Sequence, residues 1–263
     1  MSRVLLMKDN STSRPYGFST IIPLLVCVSL IFLLSRNGFP WVDTAHESMT
    51  ETAASLLSRM LNDRFDKTYL AKLPFDALEP DENGVIDHAD VDQCATMIHT
   101  LANKAERLLH KNEDWSKIMF LMAEATHYIE DLNNPYHCDG DDETYEEFEN
   151  TAIFGYWTDG DYDGFQYIKD YRLFAENTCR FSRRYLKFAY KLFQDYDQDY
   201  YKKFITPIWK HAVNDVLDLW LTILWNGLGE RDYKTYGLPE PKGVRDNKRM
   251  RFEKIKVLHK ILY

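Results

Sequence analysis

The chain has 263 residues, 45% of them hydrophobic, and a formal charge of −9. That suits one compact domain with a sizeable core, and it argues against nonspecific duplex binding, because a phosphate backbone selects basic surfaces. The sequence holds no nucleophile-elbow serine, no P-loop and no Rossmann glycine pattern.

Residues 1–40 read as a leader. Arg3, Lys8 and Arg14 precede an apolar run over 21–34, broken by Pro23 and Ser29. The run is short for a membrane span and typical of a signal-peptide hydrophobic region; extended back to Tyr16, it makes a marginal anchor. Entry into the secretory pathway is expected, with the product secreted or membrane-anchored, and Gly38 is the best cleavage position. His46, Met49, Ala53, Leu56, Leu57 and Met60 then recur at helical spacing, so a first helix begins near Thr44, a good N-cap. A loop rich in Pro, Asp and Gly follows over 73–90. The spacing predicts a second helix over 91–110, a turn over 111–114 and a third helix to about Asn133. An acidic segment covers 139–149. Phe174, Phe181, Tyr185, Phe188 and Leu192 form an aromatic stripe, and 208–225 is apolar almost all round, as a buried central helix is. No alternating β pattern appears, so the class is all-α, a multi-helix orthogonal array. The expected division is a leader over 1–40, a helical domain over 41–228 and a basic tail over 229–263. Residues 242–263 hold eight Lys or Arg against two acids, a net of +6, which leaves −15 on the rest. Such a tail suits a solvated end, an anionic membrane or a nucleic acid.

The chemistry concentrates around His127 and Asp131. Four residues apart on a helix, they stack an imidazole and a carboxylate on one face, at the flank of the buried stripe Ile118, Met122, Ala125, Ile129 and Leu132. Pro135 stops that helix and His137 follows in the turn. Two imidazoles and a carboxylate make first-row metal chemistry, most often zinc. Asp159, Asp161 and Asp163, with Gly164 at the sixth position and Asp170 at the twelfth, form a separate calcium-type pattern. Residues 79–90 also match an EF-hand loop in part, with Gly84 sixth and Ile86 eighth. Cys27 lies in the leader. Cys94, Cys138 and Cys179 remain, enough for one disulfide and one leftover thiol; Cys138, beside His137, reads as a non-ligand.

The pattern His127-x-x-x-Asp131-x-x-x-Pro135-x-His137 resembles the central motif of the zinc-dependent phospholipases C and the related single-strand-specific zinc nucleases. Trp41 followed five residues later by His46 is similar to the mature start of the nuclease branch. The resemblance runs roughly from Trp41 to Trp225. It implies a multi-helix phospholipase C/nuclease-like fold, two or three zinc ions and hydrolysis of a phosphodiester. The implied ligands are Trp41, through its free amine and carbonyl oxygen, with His46, Asp81, His88, His127, Asp131, His137 and Glu146. Glu79-Pro80-Asp81 is similar to the family's Pro-Asp turn, with Asp76, Asp87 and His99 as alternatives for the loop ligands. Asp142 stands where the family has a His ahead of Tyr145-Glu146. In the implied mechanism Asp131 bridges two ions, and Asp81 is a ligand and the general base. The Trp41 amine is free only once residues 1–40 are gone.

The acidic domain and the leader favour a phospholipid head group as substrate. The basic tail also fits RNA, and single-stranded nucleic acid is the alternative. The aromatic base pocket and Gly-rich loop of the nuclease branch are not found. A non-catalytic, membrane-tethered, calcium-binding relic of the fold is a third class, separated from the enzyme by its metal content. Nothing in the pattern specifies an oligomeric state.

Overall fold

A computed structural model of the chain describes residues 43–83, 86–138, 161–186 and 198–245. These residues are mostly helical, as the all-α reading expects. Helix α1 (Asp43–Met60) buries Ala45, His46, Met49, Thr50, Ala53 and Leu57 on one face.

The expected loop over 73–90 is a correction. It holds two short helices, α2 (Leu73–Asp76) and α3 (Glu79–Asn83), after a 3-10 helix at Lys67–Lys72. Pro74 and Pro80 mark helix starts here rather than a loop. In a first turn the missing proline N–H has no helical acceptor in any case.

Helices α4 (Val91–His110) and α5 (Trp115–Asn133) begin where their caps say. Asp90 accepts from the amides of Asp92 and Gln93, and Asp114 accepts from that of Ser116. α4 buries the stripe Cys94, Ile98, Leu101, Ala102, Ala105 and Leu109 against α5. Helix α6 (Tyr171–Ser182), capped by Asp170, leads into a 3-10 turn at Arg183–Tyr185 and buries Phe174, Phe181 and Tyr185. Phe188 and Leu192 of the expected stripe lie outside the described residues.

Helix α7 (Gln198–Thr235) is the expected central helix, buried continuously over 211–224 and packed on α1, α4 and α5. It breaks at Gly229, whose φ of +72° suits glycine. At Gly227 a Cβ would collide with the Leu109 side chain, so the residue lets α4 approach α7 closely. No helix among the described residues is long and apolar enough to cross a membrane. The apolar run at 21–34 is not among them.

A two-residue parallel ladder joins β1 (Gln166–Tyr167) to β2 (Gly243–Val244). It is too short to show a period-two pattern. Arg245, just after β2, is 5% exposed. Its guanidinium lies 2.7 Å from Asp215, 3.2 Å from Asp218 and 3.1 Å from Asp163. Tyr233 is fully buried and donates to the Pro239 carbonyl. The packed structure therefore runs on to Arg245. Of the expected tail, 246–263 lies outside the described residues.

Arg245→Met leaves the buried Asp215 charge without its cation and removes a partner of Asp218, whose carboxyl burial already pushes well above its ordinary value. The expected loss is about 3–5 kcal/mol, read from the urea midpoint at constant slope. Burial works against the Asp215 charge, and ion pairing with partners that include Arg245 outweighs it, holding the carboxyl at about 2. The wild-type advantage should hold above the carboxyl's ordinary value of 3.8 and fade as pH falls from there toward 2.

Candidate metal centre

The second half of α5 is buried all round, so His127, Glu130, Asp131 and Asn133 all enter the interior. Buried polar groups need partners. Asp81 comes from α3 and His88 from the turn before α4. Cys94 donates its thiol to the His88 carbonyl at 3.3 Å and so ties that turn to α4.

His127 Nε2 lies 2.9 Å from His88 Nδ1, 3.3 Å from Asp81 Oδ1 and 3.2 Å from Asp131 Oδ2. His88 Nδ1 lies 3.0 Å from Asp131 Oδ2 and 3.6 Å from Asp81 Oδ1. Four donors about 2.0–2.1 Å from a central ion, at the corners of a tetrahedron, stand about 3.3 Å apart. The five distances given, each of which involves a histidine, scatter around that value. Asp81 Oδ2 has no hydrogen-bond partner among the described residues. Asp81, His88 and His127 together could hold a metal ion, and so could His46, His127 and Asp131.

A second set shares Asp131. Its Oδ1 lies 3.4 Å from His46 Nε2 and 3.7 Å from His137 Nε2. Neither Asp131 Oδ1 nor His46 Nε2 has a hydrogen bond among the described residues. The first turn of α1 delivers His46. A turn shaped by Pro135, in which Asn134 Oδ1 accepts from the Tyr136 amide, delivers His137. The Cys138–Cys179 disulfide ties that turn to α6, and Cys94 is the leftover thiol, buried.

The electrostatics show how strongly these groups depend on one another. Burial pushes Asp131 toward the neutral acid, yet His127, His137 and His46 hold it well below the usual carboxylate range. Burial opposes a charge on His46, but its close contacts with the Asp131 and Glu130 carboxyl groups raise it to about 9. Burial likewise opposes a charge on His127, and Asp131 and Asp81 raise it well above its ordinary value. On His137 burial wins, only partly offset by Asp131, and it falls to about 4. A buried carboxylate that concentrates positive charge in this way suits a cation.

The structure thus brings together His46, Asp81, His88, His127, Asp131 and His137. The alternative loop residues stay outside the cluster. His99 is exposed, Asp76 is half-buried, and exposed Asp87 accepts from the Ala89 amide. Trp41, Asp142, Glu146 and Asp159 lie outside the described residues.

In both calcium-type segments the described carboxylates already have other partners. Over 79–90, α3 turns Asp81 into the histidine cluster and Asp90 caps α4, so the described part of that segment is no EF-hand loop. Asp161 is paired with Lys210 at 2.7 Å, Asp163 with Arg245, and Asp170 caps α6, so these carboxylates are already engaged.

Sequence reasoning missed Glu130. Its carboxylate lies 2.7 Å from His46 Nδ1 and accepts from Thr50 Oγ1 at 3.0 Å. An acid inside the buried stretch 125–133 was the available signal.

No family model matches the chain, and no curated protein or solved structure matches it.

Wild-type protein should bind a divalent ion, and a chelator should lower its Tm. His127→Ala or Asp131→Asn should weaken binding by on the order of 100-fold, because each removes a direct ligand and loses more than a supporting residue would. Far-UV circular dichroism checks that the helices persist. Unchanged metal content in Asp131→Asn would remove this residue from the centre.

Proposed function

We propose that the chain is a zinc-dependent phosphodiester hydrolase, of the phospholipase C type and acting on phospholipid head groups. The observation that supports this most is the close approach of His88 and His127 to each other and to both Asp81 and Asp131, a mixed nitrogen and oxygen set that suits zinc. The resemblance around His127, Asp131, Pro135 and His137 adds the reaction class. In this reading Asp131 would help to hold two ions, with His46 and His137 available to the second.

Zinc, when bound, lowers the pKa of a coordinated water and stabilises charge on the phosphate oxygens. The chain's own residues do the rest. Asp131 and the histidines fix the positions of the ligands. Asp81 keeps Oδ2 without a hydrogen-bond partner, well placed to take the proton of an attacking water. His88 is 11% exposed and Asp81 3%, while His46, His127 and Asp131 are at 0%. Among the described residues, a substrate therefore meets the centre from the Asp81–His88 side. A free Trp41 amine would add a ligand at the His46 position, so the active form is expected to start at Trp41, which N-terminal sequencing reads.

The −15 carried outside the basic C-terminal segment disfavours a polyanionic chain and ranks a lipid head group above single-stranded nucleic acid. The nuclease reading keeps the Trp41–His46 spacing as its support. The calcium-binding relic loses support where Lys210 and Arg245 neutralise the acidic turn.

Zinc-loaded protein should cleave phosphatidylcholine or a chromogenic phosphocholine ester faster than single-stranded RNA or DNA, with Asp131→Asn as the blank. Nuclease turnover without release from any lipid reverses the ranking. Bound zinc without hydrolysis of either substrate leaves a metal site and rejects the enzyme.

A further inference from the structure

His46 lies between two consecutive carboxylates of α5. Its Nδ1 is 2.7 Å from Glu130 Oε2 and its Nε2 is 3.4 Å from Asp131 Oδ1. Neighbouring residues on a helix point about 100° apart, so α5 can hold both sides of one ring. Glu130 is itself fixed. It is fully buried, and Thr50, one turn beyond His46 on α1, donates to its Oε1 at 3.0 Å. The His46 ring stacks on that of His127 at 4.4 Å with 20° between planes, which sets its orientation.

A neutral imidazole has one N–H and one bare nitrogen. As a carboxylate, Glu130 accepts hydrogen bonds only, so with Glu130 ionised and His46 neutral the N–H belongs on Nδ1. The bare Nε2 then faces the lone pairs of Asp131 Oδ1, an arrangement that a cation between them turns from repulsion into attraction.

Building on the metal reading above, we propose that Glu130 is a positioning residue for the His46–Asp131 ion. It locks His46 in the Nδ1–H tautomer, aims Nε2 at Asp131 and supplies a buried negative charge behind the ring. A carboxylate behind a ligating histidine orients the ring and strengthens it as a donor. The hydrogen bonds of Glu130 described above go to His46 and Thr50, neither of which belongs to the Asp81–His88–His127–Asp131 set. The influence of Glu130 should therefore be confined to one of the two ions.

The test is zinc titration of the full chain against a competing chelator. For the loaded protein it adds nitrogen-15 spectra of the His46 ring. Wild type is expected to bind two ions with a protonated Nδ1 on His46. Glu130→Ala should weaken the looser ion about 10- to 100-fold and leave the tighter one within about threefold. Glu130→Gln keeps an acceptor for Nδ1–H without the charge. It should retain the tautomer and weaken the looser ion by about 3- to 10-fold. Thr50→Val should give a smaller loss in the same ion. Should Glu130→Ala not fold, Glu130→Gln carries the test alone.

Equal weakening of both ions, or unchanged affinity in Glu130→Gln, overturns the proposal, as does a wild-type His46 with the proton on Nε2. A wild type that binds no zinc instead rejects the metal reading on which the proposal rests.

Discussion

Asp131 places a carboxylate at 0% exposure in the middle of a packed helical core, and a charge there is costly unless it is matched on every side. The matching comes from four histidines on four different pieces of chain. His46 arrives on α1, His88 on the turn before α4, His127 from one turn back on α5 and His137 from the turn after it. Each of these pieces has its own reason to be where it is. Asp90 starts α4, Pro135 ends α5, and the disulfide at Cys138 holds the last turn against α6. The carboxylate is thus the common point at which separately determined segments must agree.

A second buried polar network stands behind the first. Asn133, two residues beyond Asp131, donates to Asp215 of α7 at 3.2 Å, and Thr178 of α6 donates to the same oxygen at 3.1 Å. Asp215 in turn accepts from Arg245. The segment that ends at β2 is therefore linked through one carboxylate to the end of the helix that carries His127 and Asp131. Burying an Arg with two carboxylates is an expensive way to gain stability alone, since an apolar replacement of similar shape is often as good. What the network adds is directional. It fixes the end of α5 relative to α6 and α7, and with it the direction in which the His137 turn departs.

What was legible in the sequence follows from range. His127 and Asp131 share a helix face by spacing alone, and Asp90 and Asp114 announce the helices they cap, so these features appear in a local pattern. Glu130 did not stand out, because its partner His46 is on another helix and adjacency to Asp131 says nothing about a common target. The helices at α2 and α3 were hidden because Pro74 and Pro80 signal a break in most contexts and a start only in the first turn. The acidic turn around Asp161 and Asp163 looked like a calcium loop because a pattern of carboxylates does not record that Lys210 and Arg245 reach them from distant parts of the chain. Arg245 was counted as tail charge for the same reason.

The two donor sets around Asp131 are chemically unequal, and that inequality bears on how such a centre works. The Asp81 set has four side-chain donors within contact range, and its outer members are the more exposed, His88 most of all. The His46 set has fewer described donors and is closed behind by Glu130, Thr50 and the stacked His127 ring. An ion at the first position would be tightly held and nearest to an incoming ligand. One at the second would be deeper and more dependent on supporting residues. A shared carboxylate couples them, because charge drawn from one oxygen weakens the other as a donor. Among the described residues, Asp131 is a carboxylate that approaches both sets, through Oδ2 to His88 and His127 and through Oδ1 to His46 and His137.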